Sequence, residues 1–394
     1  MLLRNLKLWD GIENDYSTEF DALRITGDGA LVLTTSDDVL ADETTRDLAG
    51  AYAIPGLIDA HIHLCLDPRE SDPFAHGKVP ESEQLKAMAE RAYKMVCAGI
   101  TSARDLGGGQ WLELRIRDAI RLGEIQGPRL MCAGQPITSV QGHCHFWGGE
   151  AKDEISALSV LDRQVDKGVD LIKVMATGGN ITPGSRPVDA QFDESVIQAI
   201  VQAANAQGFA VAAHCHGVDG IRNAAHAGVS TIEHCSWVGP DGWGKHYEPE
   251  LAKTIGQKGI WVSPTVNAGW GRHLSNERYL AAMNARYQSM KAEGCRLIAS
   301  TDAGIPNVFH EDLPKALAVF KAVAALSNLE TLKSATSDCA RALGLEAVTG
   351  RLANGLSADF LIFDRSPLED LEVLENPIWV FARGKLVLDA ANFS

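Results

Sequence analysis

Short apolar runs alternate with amphipathic stretches from about residue 55 to residue 345, and this alternation is the strongest constraint on the fold. The runs lack the polar alternation of a half-exposed strand, which is typical of parallel strands buried on both faces. Candidate strands end near residues 61, 104, 135, 175, 214, 234, 264 and 302. The stretches between them carry apolar residues three and four positions apart, most clearly over 82–99, 152–168, 194–208 and 311–327. Eight such strand–helix units predict an α/β fold, a (β/α)8 TIM barrel.

Both ends of the chain have the texture of short strands instead. The segment ALRITGDGALVLTT alternates around a Gly-Asp-Gly turn and predicts a hairpin, and the tail GLSADFLIFD and IWVFARGKLVLD returns to the same pattern. We therefore predict a small β-sandwich domain built from residues 1–54 and 350–394, beside a catalytic barrel domain at 55–349.

Composition excludes some classes of partner. The net charge of −15 disfavours a nucleic-acid partner, which needs clustered Lys and Arg. The first residues, MLLRNLKLWDG, lack the apolar centre of a signal peptide, and no uncharged run approaches the length of a membrane span. We expect a cytoplasmic protein with a small-molecule substrate and no membrane partner. The eight dispersed cysteines, without a C-x-x-C pair, favour reduced and mostly buried thiols.

Residues that bind metals stand at the ends of several apolar runs. His61 and His63 lie two apart, so on a strand both imidazoles share one face and can reach one ion. Later runs end at Lys173, His214, His234 and Asp302. Because strand ends meet at the C-terminal rim of a barrel, this pattern predicts a metal site at that rim, and so a hydrolase.

These segments also carry a family resemblance. PGLIDAHIHL, GITSARDLGG, LIKVMATGG, STDAG and GLSADFLIFD resemble the amidohydrolase superfamily over nearly the whole chain. IKVMATGG and QGH resemble its branch of Xaa-Pro dipeptidases, basic-residue carboxypeptidases and imidazolonepropionase-like proteins. The resemblance implies cleavage of an amide-type C–N bond, in a peptide, N-acyl amino acid or related small molecule, by a hydroxide that bridges two metal ions. It also implies a homo-oligomer.

The resemblance assigns a role to each metal-binding residue. It implies that one buried ion is held by His61, His63 and Asp302, and a more exposed ion by His214 and His234. Lys173 resembles the bridging lysine that CO2 converts to a carbamate, since an ammonium has no lone pair to offer a cation. Asp302 would also carry the proton to the leaving group. We expect zinc, with manganese, cobalt and iron as alternatives.

Two pairs of histidines leave the choice of ligand and substrate-binding residue open. Either His214 or His216 could be the ligand, and either His143 or His145 could face the site; the resemblance favours His143 as a donor to the developing oxyanion. His216 would then contact substrate or line a loop. It stands where related dipeptidases have a tyrosine, which puts dipeptidase activity in doubt.

Charged and aromatic residues in the loops suggest how a substrate is held. Arg186 and Arg222 could each hold a substrate carboxylate through a bidentate fork. An aromatic pocket, or alternatively loop packing or a subunit interface, is predicted for Trp147, Trp237, Trp243 and Trp270. Arg104 and Asp105 are interpreted as a local structural pair.

Three other functions compete with amide hydrolysis. The same site could open a lactone, ester, carbamate or urea linkage. A mononuclear deaminase or imidazolone-type ring hydrolase is disfavoured by Lys173, because such relatives typically lack the bridging lysine. A non-catalytic scaffold is disfavoured because the chain keeps all six ligand residues.

Overall fold

The structure, a computed structural model, describes residues 1–390 of the 394-residue chain, so residues 391–394 of the predicted terminal domain lie outside it. Its strands are, in chain order, β1 (Leu2–Leu8), β2 (Ala22–Ile25), β3 (Leu31–Thr34), β4 (Thr45–Pro55), β5 (Leu57–Ile62), β6 (Ile100–Asp105), β7 (Arg129–Cys132), β8 (Thr138–Ser139), β9 (Glu150–Ala151), β10 (Ile172–Met175), β11 (Val211–Gly217), β12 (Thr231–Val238), β13 (Trp261–Ser263), β14 (Arg296–Leu297), β15 (Phe360–Phe363), β16 (Trp379–Ala382) and β17 (Lys385–Asp389).

The helices lie mostly between the strands of the central region. They are α1 (Glu81–Cys97), α2 (Leu112–Leu122), α3 (Glu154–Lys167), α4 (Glu194–Ala206), α5 (Val218–Ala227), α6 (Pro249–Gln257), α7 (Glu277–Ala292), α8 (Leu313–Ala324), α9 (Asn328–Ser334) and α10 (Ser337–Ala342). Short 3-10 helices add His76–Lys78, His145–Trp147, Ala268–His273 and Leu371–Glu375.

The central strands are parallel and lie in two sheets, β5-β6-β7 and β10-β11-β12-β13-β14. Backbone hydrogen bonds join the two sheets at both junctions. At one junction the Ile137 N–H donates to the Lys173 carbonyl at 2.8 Å. At the other the His63 N–H donates to the Ala303 carbonyl at 2.7 Å. The carboxyl ends of all these strands therefore face one side of the molecule, which is where parallel α/β sheets place their sites.

The predicted strand and helix segments are confirmed, with shifts of three to five residues at four strand ends. β11 and β12 continue to Gly217 and Val238, past the predicted ends at 214 and 234. β7 ends at Cys132 rather than near 135, because Gly134 takes a left-handed φ of +71°. β14 ends at Leu297 rather than near 302, since the Ala299 N–H donates outside the ladder, to the Ser334 carbonyl. The predicted helices are present as α1, α3, α4 and α8.

The chain ends meet in a separate seven-stranded sheet of order β17-β16-β15-β4-β1-β2-β3. The predicted hairpin is its β2–β3 pair. The Leu31 N–H donates to the Leu356 carbonyl at 2.8 Å, so the β3 end of the sheet bonds the segment that leads into β15. The sheet has its own apolar core, in which the rings of Phe360 and Phe381 stack at 4.5 Å.

The helices cover the parallel strands with apolar faces at helical spacing. In α4, for example, Ile197, Ile200, Val201 and Ala204 are buried, at the three- and four-residue intervals that one helix face requires. All eight cysteines are free and seven are buried, as predicted. Within residues 1–390 we find no helix with both the length and the apolar character that a membrane crossing requires.

Candidate active site

Two groups of metal-binding side chains lie at the carboxyl ends of the parallel strands. The first cluster is His61, His63 and Asp302, and the second cluster is His214, His216 and His234. In each cluster, one ligand atom from every residue lies within 4.8 Å of the others. The two clusters adjoin, since the ring centroids of His61 and His234 are 5.2 Å apart.

The first cluster gathers three atoms that can only accept. His61 Nδ1 lies 2.9 Å from Glu233 Oε2, and His63 Nδ1 lies 2.9 Å from the Gly107 carbonyl. Because a carboxylate and a carbonyl cannot donate, each Nδ1 carries a proton, and in a neutral imidazole this leaves the lone pair on Nε2. These two Nε2 atoms are 3.3 Å apart, and Asp302 Oδ1 lies 3.2 and 3.4 Å from them. Three facing acceptors with no donor between them are a ligand set for a cation.

Buried charges hold this cluster in place. Arg104 donates to Glu233 Oε1 at 2.7 Å, and both side chains are almost fully buried. Burial alone would raise the pKa of Glu233, but the Arg104 charge and the His61 hydrogen bond hold it well below its usual range. Burial and the Lys173 charge lower the pKa of His61 to about 4, so its imidazole is neutral at pH 7 and can bind a metal.

Asp302 is the acidic member of the first cluster. Burial would raise its pKa, but His61, His63 and the Lys173 charge together hold the pKa of Asp302 well below its usual range. Asp302 also takes a left-handed φ of +61°, a conformation that few residues other than glycine adopt. Its N–H donates to the His61 carbonyl at 2.9 Å, so the strained backbone is tied to the strand that carries the histidines.

The second cluster is held by neutral groups. His214 Nε2 donates to the Gly178 carbonyl at 3.0 Å, which leaves Nδ1 with its lone pair. His234 Nε2 lies 3.0 Å from that Nδ1, and His234 Nδ1 lies 2.8 Å from the Thr265 hydroxyl. His216 Nδ1 lies 2.9 Å from the Ser236 hydroxyl. Burial lowers the pKa of His216 to about 4, so this ring too is neutral at pH 7.

Lys173, on β10, is almost fully buried, and its Nζ has no hydrogen-bond partner among the described residues 1–390. Its charge acts on the pKa of His61 in the first cluster and of His234 in the second, so the amine is within electrostatic reach of both. Burial lowers the pKa of Lys173 to about 8. A buried amine without an acceptor is costly, and it indicates that another group belongs in this space.

His143, rather than His145, reaches the cavity. Its ring centroid is 4.6 Å from that of His214, and its buried Nδ1 has no hydrogen-bond partner in the part of the chain that the structure describes. Burial and the neighbouring His216 lower the pKa of His143 to about 3. A Cβ on Gly179 would lie 2.4 Å from His143 Nε2, so the second glycine of the ATGG segment makes room for this ring.

The clusters form the floor of a cavity of about 830 Å³. Trp243 and Trp270 line its wall, while Trp147 and Trp237 are fully buried elsewhere. The predicted aromatic pocket therefore contains half of the tryptophans proposed for it. Asp302 supplies the acidic group of the lining, and no other acidic side chain among residues 1–390 lines this cavity.

Three of the proposed substrate-binding side chains do not line the cavity. Trp147 packs behind His63, with ring centroids 5.3 Å apart. Arg186 is exposed and paired with Asp189. Arg222 pairs with Asp219 and with Glu248 at 2.7 Å. Each arginine is neutralised by a carboxylate three residues away in the chain, Asp189 for Arg186 and Asp219 for Arg222, so the sequence already carried a signal against both assignments.

Helix α7 supplies a cavity wall that the sequence analysis missed. Tyr279, Ala282, Met283, Arg286 and Tyr287 all line the cavity. They occur at the three- and four-residue spacing of one helix face, which was the available signal. The face mixes aromatic, aliphatic and charged residues because it borders a polar cavity, so an apolar-periodicity criterion overlooks it.

Comparison with known proteins places this site in a family. The model of the amidohydrolase family matches residues 52–387. Ochratoxinase from Aspergillus niger is 27% identical over 359 residues, which cover 82% of this chain and 72% of that protein. Its crystal structure has a TM-score of 0.82 at 24% identity, over 98% of this chain and 95% of that one.

A Xaa-Pro dipeptidase crystallised with methionine in its active site has a similar fold. Its TM-score is 0.83 at 24% identity, and the match covers 98% of both chains. With the family model matching most of its length, the chain belongs to the amidohydrolase family, and it is a metal-dependent hydrolase of amide-type C–N bonds.

Proposed function

We propose that this protein cleaves the amide bond of a small N-acyl amino acid or peptide with the help of two divalent metal ions, most suitably zinc. The observation that carries the proposal is Lys173, whose buried Nζ lies without a partner within electrostatic reach of both clusters. As a carbamate, this side chain would offer each cluster an anionic oxygen in place of a cationic amine.

The residues present fit two metal sites. His61, His63 and Asp302 would hold one ion, and His214 and His234 the other, with the carboxylated Lys173 shared between them. His216 belongs to the second cluster by position and remains a further candidate ligand or substrate contact. Imidazole with hard oxygen donors suits zinc, and manganese, cobalt or iron are the alternatives. Bound divalent ions supply Lewis acidity and make an attacking water more acidic near neutral pH.

The chain's own residues carry the proton and the developing charge. Asp302, ionised at pH 7, would take the proton of the attacking water and hand it to the departing nitrogen. Such general acid–base help is typically worth about 10²–10⁴-fold in rate. His143, a neutral imidazole in the cavity, would donate a hydrogen bond to the oxygen of the scissile carbonyl as it becomes negative.

The substrate class follows from the cavity and the relatives. The wall offers Trp243 and Trp270 for an apolar or ring-bearing group. The relatives include an ochratoxinase and, at the level of fold, a Xaa-Pro dipeptidase. A panel of N-acyl amino acids and dipeptides, extended to carbamates, ureas, esters and lactones, is therefore the appropriate first screen for zinc-loaded protein.

The metal sites are tested by Lys173→Met. We expect the variant to bind fewer ions than the wild-type protein, which should hold about two per chain, and to lose a ¹³C NMR carbamate signal that ¹³C-bicarbonate gives in the wild-type protein. Metal content is measured by mass spectrometry, alongside activity on the panel.

Lys253→Met is the matched control, because Lys253 is exposed on α6 and belongs neither to the two clusters nor to the cavity lining. It should keep both ions and the carbamate signal. If Lys173→Met kept the full metal content, the bridging role would be wrong. If the wild-type protein bound two ions yet cleaved nothing in the panel, the proposed substrate class would be wrong.

We also propose a domain architecture, an assembly and a cellular location for this protein. The two hydrogen-bonded junctions between the parallel sheets support a closed (β/α)8 barrel spanning 55–349, and the terminal sheet with its own core supports a separate β-sandwich domain. A cytoplasmic homo-oligomer without nucleic-acid partners is the assembly we expect, and sedimentation analysis of the purified protein would test its state.

A further inference from the structure

The cavity is a positively charged region in an acidic protein. The chain carries a net charge of −15, yet Lys245, Arg272 and Arg286 line the cavity, and Asp302 belongs to the first cluster. Low-dielectric walls with one sign of charge concentrate ligands of the opposite sign. This charge pattern favours an anionic substrate.

Arg286 differs from the other two cations. It is partly buried, whereas Lys245 and Arg272 are exposed. Within residues 1–390 its guanidinium has neither a hydrogen-bond nor an ion-pair partner. Arg286 shares the cavity lining with Cys235, next to the cluster residue His234, and with Gly244 in the loop after β12. An unpaired guanidinium therefore lies on the second-cluster side of the cavity.

The protein fixes the position of this guanidinium from two directions. On its far side, α7 is tied to the end of α8, because Asn284 donates to the Ala322 carbonyl at 2.7 Å and Gln288 to the Ala324 carbonyl at 2.7 Å. The opposite face of α7 is thus presented to the cavity. Such anchoring reduces the entropy that binding must overcome.

The second constraint is Gly244, in the loop after β12. A Cβ at Gly244 would lie 1.8 Å from Arg286 Nη2 and 2.5 Å from Nη1, so the guanidinium lies directly against this glycine. The Gly244 N–H donates to the Ser236 carbonyl at 3.1 Å, and the Ser236 hydroxyl lies 2.9 Å from His216. The arginine, the loop and the second cluster therefore form one connected wall.

We propose that Arg286 is the specificity residue that binds the free carboxylate of the substrate, so that the enzyme prefers amides of amino acids to amides of simple amines. A guanidinium binds a carboxylate through two parallel hydrogen bonds, which suits an unpaired, positioned arginine. This inference rests on the proposed amide hydrolysis and names the group that sets its selectivity. Arg286 takes the place that sequence reasoning gave to Arg186 and Arg222, which are already paired.

The test compares two amides that differ in one group. N-acetyl-L-phenylalanine has the carboxylate, and N-(2-phenylethyl)acetamide has the same amide and ring without it. We expect zinc-loaded wild-type protein to prefer the first, and Arg286→Met to lose about 10- to 100-fold in kcat/KM on it, mainly through KM. Arg286→Lys should fall between them, and the neutral amide should change by no more than about twofold.

Two further variants separate the role of the guanidinium from general damage. Arg278→Met is the matched control, since Arg278 is exposed on the same helix and outside the cavity lining; it should leave both substrates unchanged. Gly244→Ala keeps the charge but displaces the guanidinium, and it should weaken the carboxylate substrate alone. Because Gly244 has a φ of +67°, which strains any residue with a side chain, the folding of Gly244→Ala is checked by circular dichroism. If Gly244→Ala unfolds, the result for Arg286→Met alone decides the test.

Binding without turnover distinguishes failure of this inference from failure of the proposed reaction. Calorimetry compares 3-phenylpropanoate with 3-phenylpropan-1-ol on wild-type and Arg286→Met protein. If neither amide is cleaved but Arg286→Met weakens only the carboxylate, the reaction is wrong and the inference stands. If the preference for the carboxylate ligand or substrate is the same in both proteins, the inference is overturned.

Discussion

The two metal-binding clusters are neighbours, yet the hydrogen bonds that hold their histidines are of different kinds. In the first cluster, the Nδ1 atoms of His61 and His63 donate to a carboxylate and a carbonyl, and their Nε2 atoms face each other and Asp302. In the second, His234 lies against the Thr265 hydroxyl, which can donate or accept. With neutral rings, the second cluster can therefore satisfy its hydrogen bonds without a cation, whereas the first cannot.

The groups behind the clusters differ in the same way. Ionisable side chains support the first cluster: Glu233 with Arg104, then Asp105, which accepts from the Leu64 N–H at 2.8 Å and the Gly107 N–H at 2.9 Å. Neutral carbonyl and hydroxyl groups support the second. We infer that the first site binds its ion more tightly, because the surrounding charges orient its ligands and raise the basicity of the histidines.

The largest expected effect comes from removing the buried cation behind the first cluster. Arg104→Met would leave Glu233 charged and unpaired in the interior, which typically costs about 3–5 kcal/mol of unfolding free energy. The first cluster should lose its metal before the second does. Urea unfolding and metal analysis of the same preparation measure both effects.

Arg121→Met is the matched control, since Arg121 is exposed and pairs only loosely with Asp118 at 3.5 Å. Its unfolding free energy should stay within about 0.5 kcal/mol of the wild-type value. An Arg104→Met protein as stable as this control would show that Glu233 is not held as a buried charge, and the contrast between the clusters would fail.

Arg104 also shows how far sequence reasoning reached. It was interpreted as a local pair with Asp105, and the structure corrects this: Arg104 bonds Glu233 on β12, while Asp105 accepts from the loops. The physical reason is that adjacent residues of a strand point to opposite faces. The approximate positions of the strands, and most of the residues that gather in the two clusters, were predictable because each depends on a local pattern.

Groups that depend on which strands become neighbours were not predictable. Glu233 precedes His234 and carries no motif of its own, yet it orients His61 from a position 172 residues away in the chain. Arg286 was overlooked for the same reason, because its significance lies in the cavity that α7 borders.

A smaller effect is expected from Glu113, a buried acid on α2 that lies against Gly108, in the loop behind His63. Burial and the nearby Asp105 raise the pKa of Glu113 to about 8. Since the folded pKa lies above the unfolded value, wild-type stability should fall as pH rises from about 5 to about 8. Glu113→Gln removes this dependence, and the gap between the two proteins should grow by on the order of 2 kcal/mol between pH 5 and pH 7.

Urea unfolding at several pH values measures that gap, and Glu124→Gln serves as control because Glu124 is exposed beyond the end of the same helix. A constant difference between Glu113→Gln and the wild-type protein across this range would mean that Glu113 is ionised in the fold throughout. The pKa of Glu113 would then not be raised in the folded protein.

The smallest effect is expected at the second cluster, where the support is neutral. Thr265→Val keeps the shape of the side chain and removes the hydroxyl that His234 Nδ1 contacts at 2.8 Å. Because no charge is left unpaired, the unfolding free energy should fall by only about 1 kcal/mol. The ring would lose its orientation, so affinity for the second ion should fall by about tenfold while the first ion is retained. Stepwise zinc titration against a chelator resolves the two sites, and loss of both ions together would mean that the clusters bind as one unit and that their different supports do not set separate affinities.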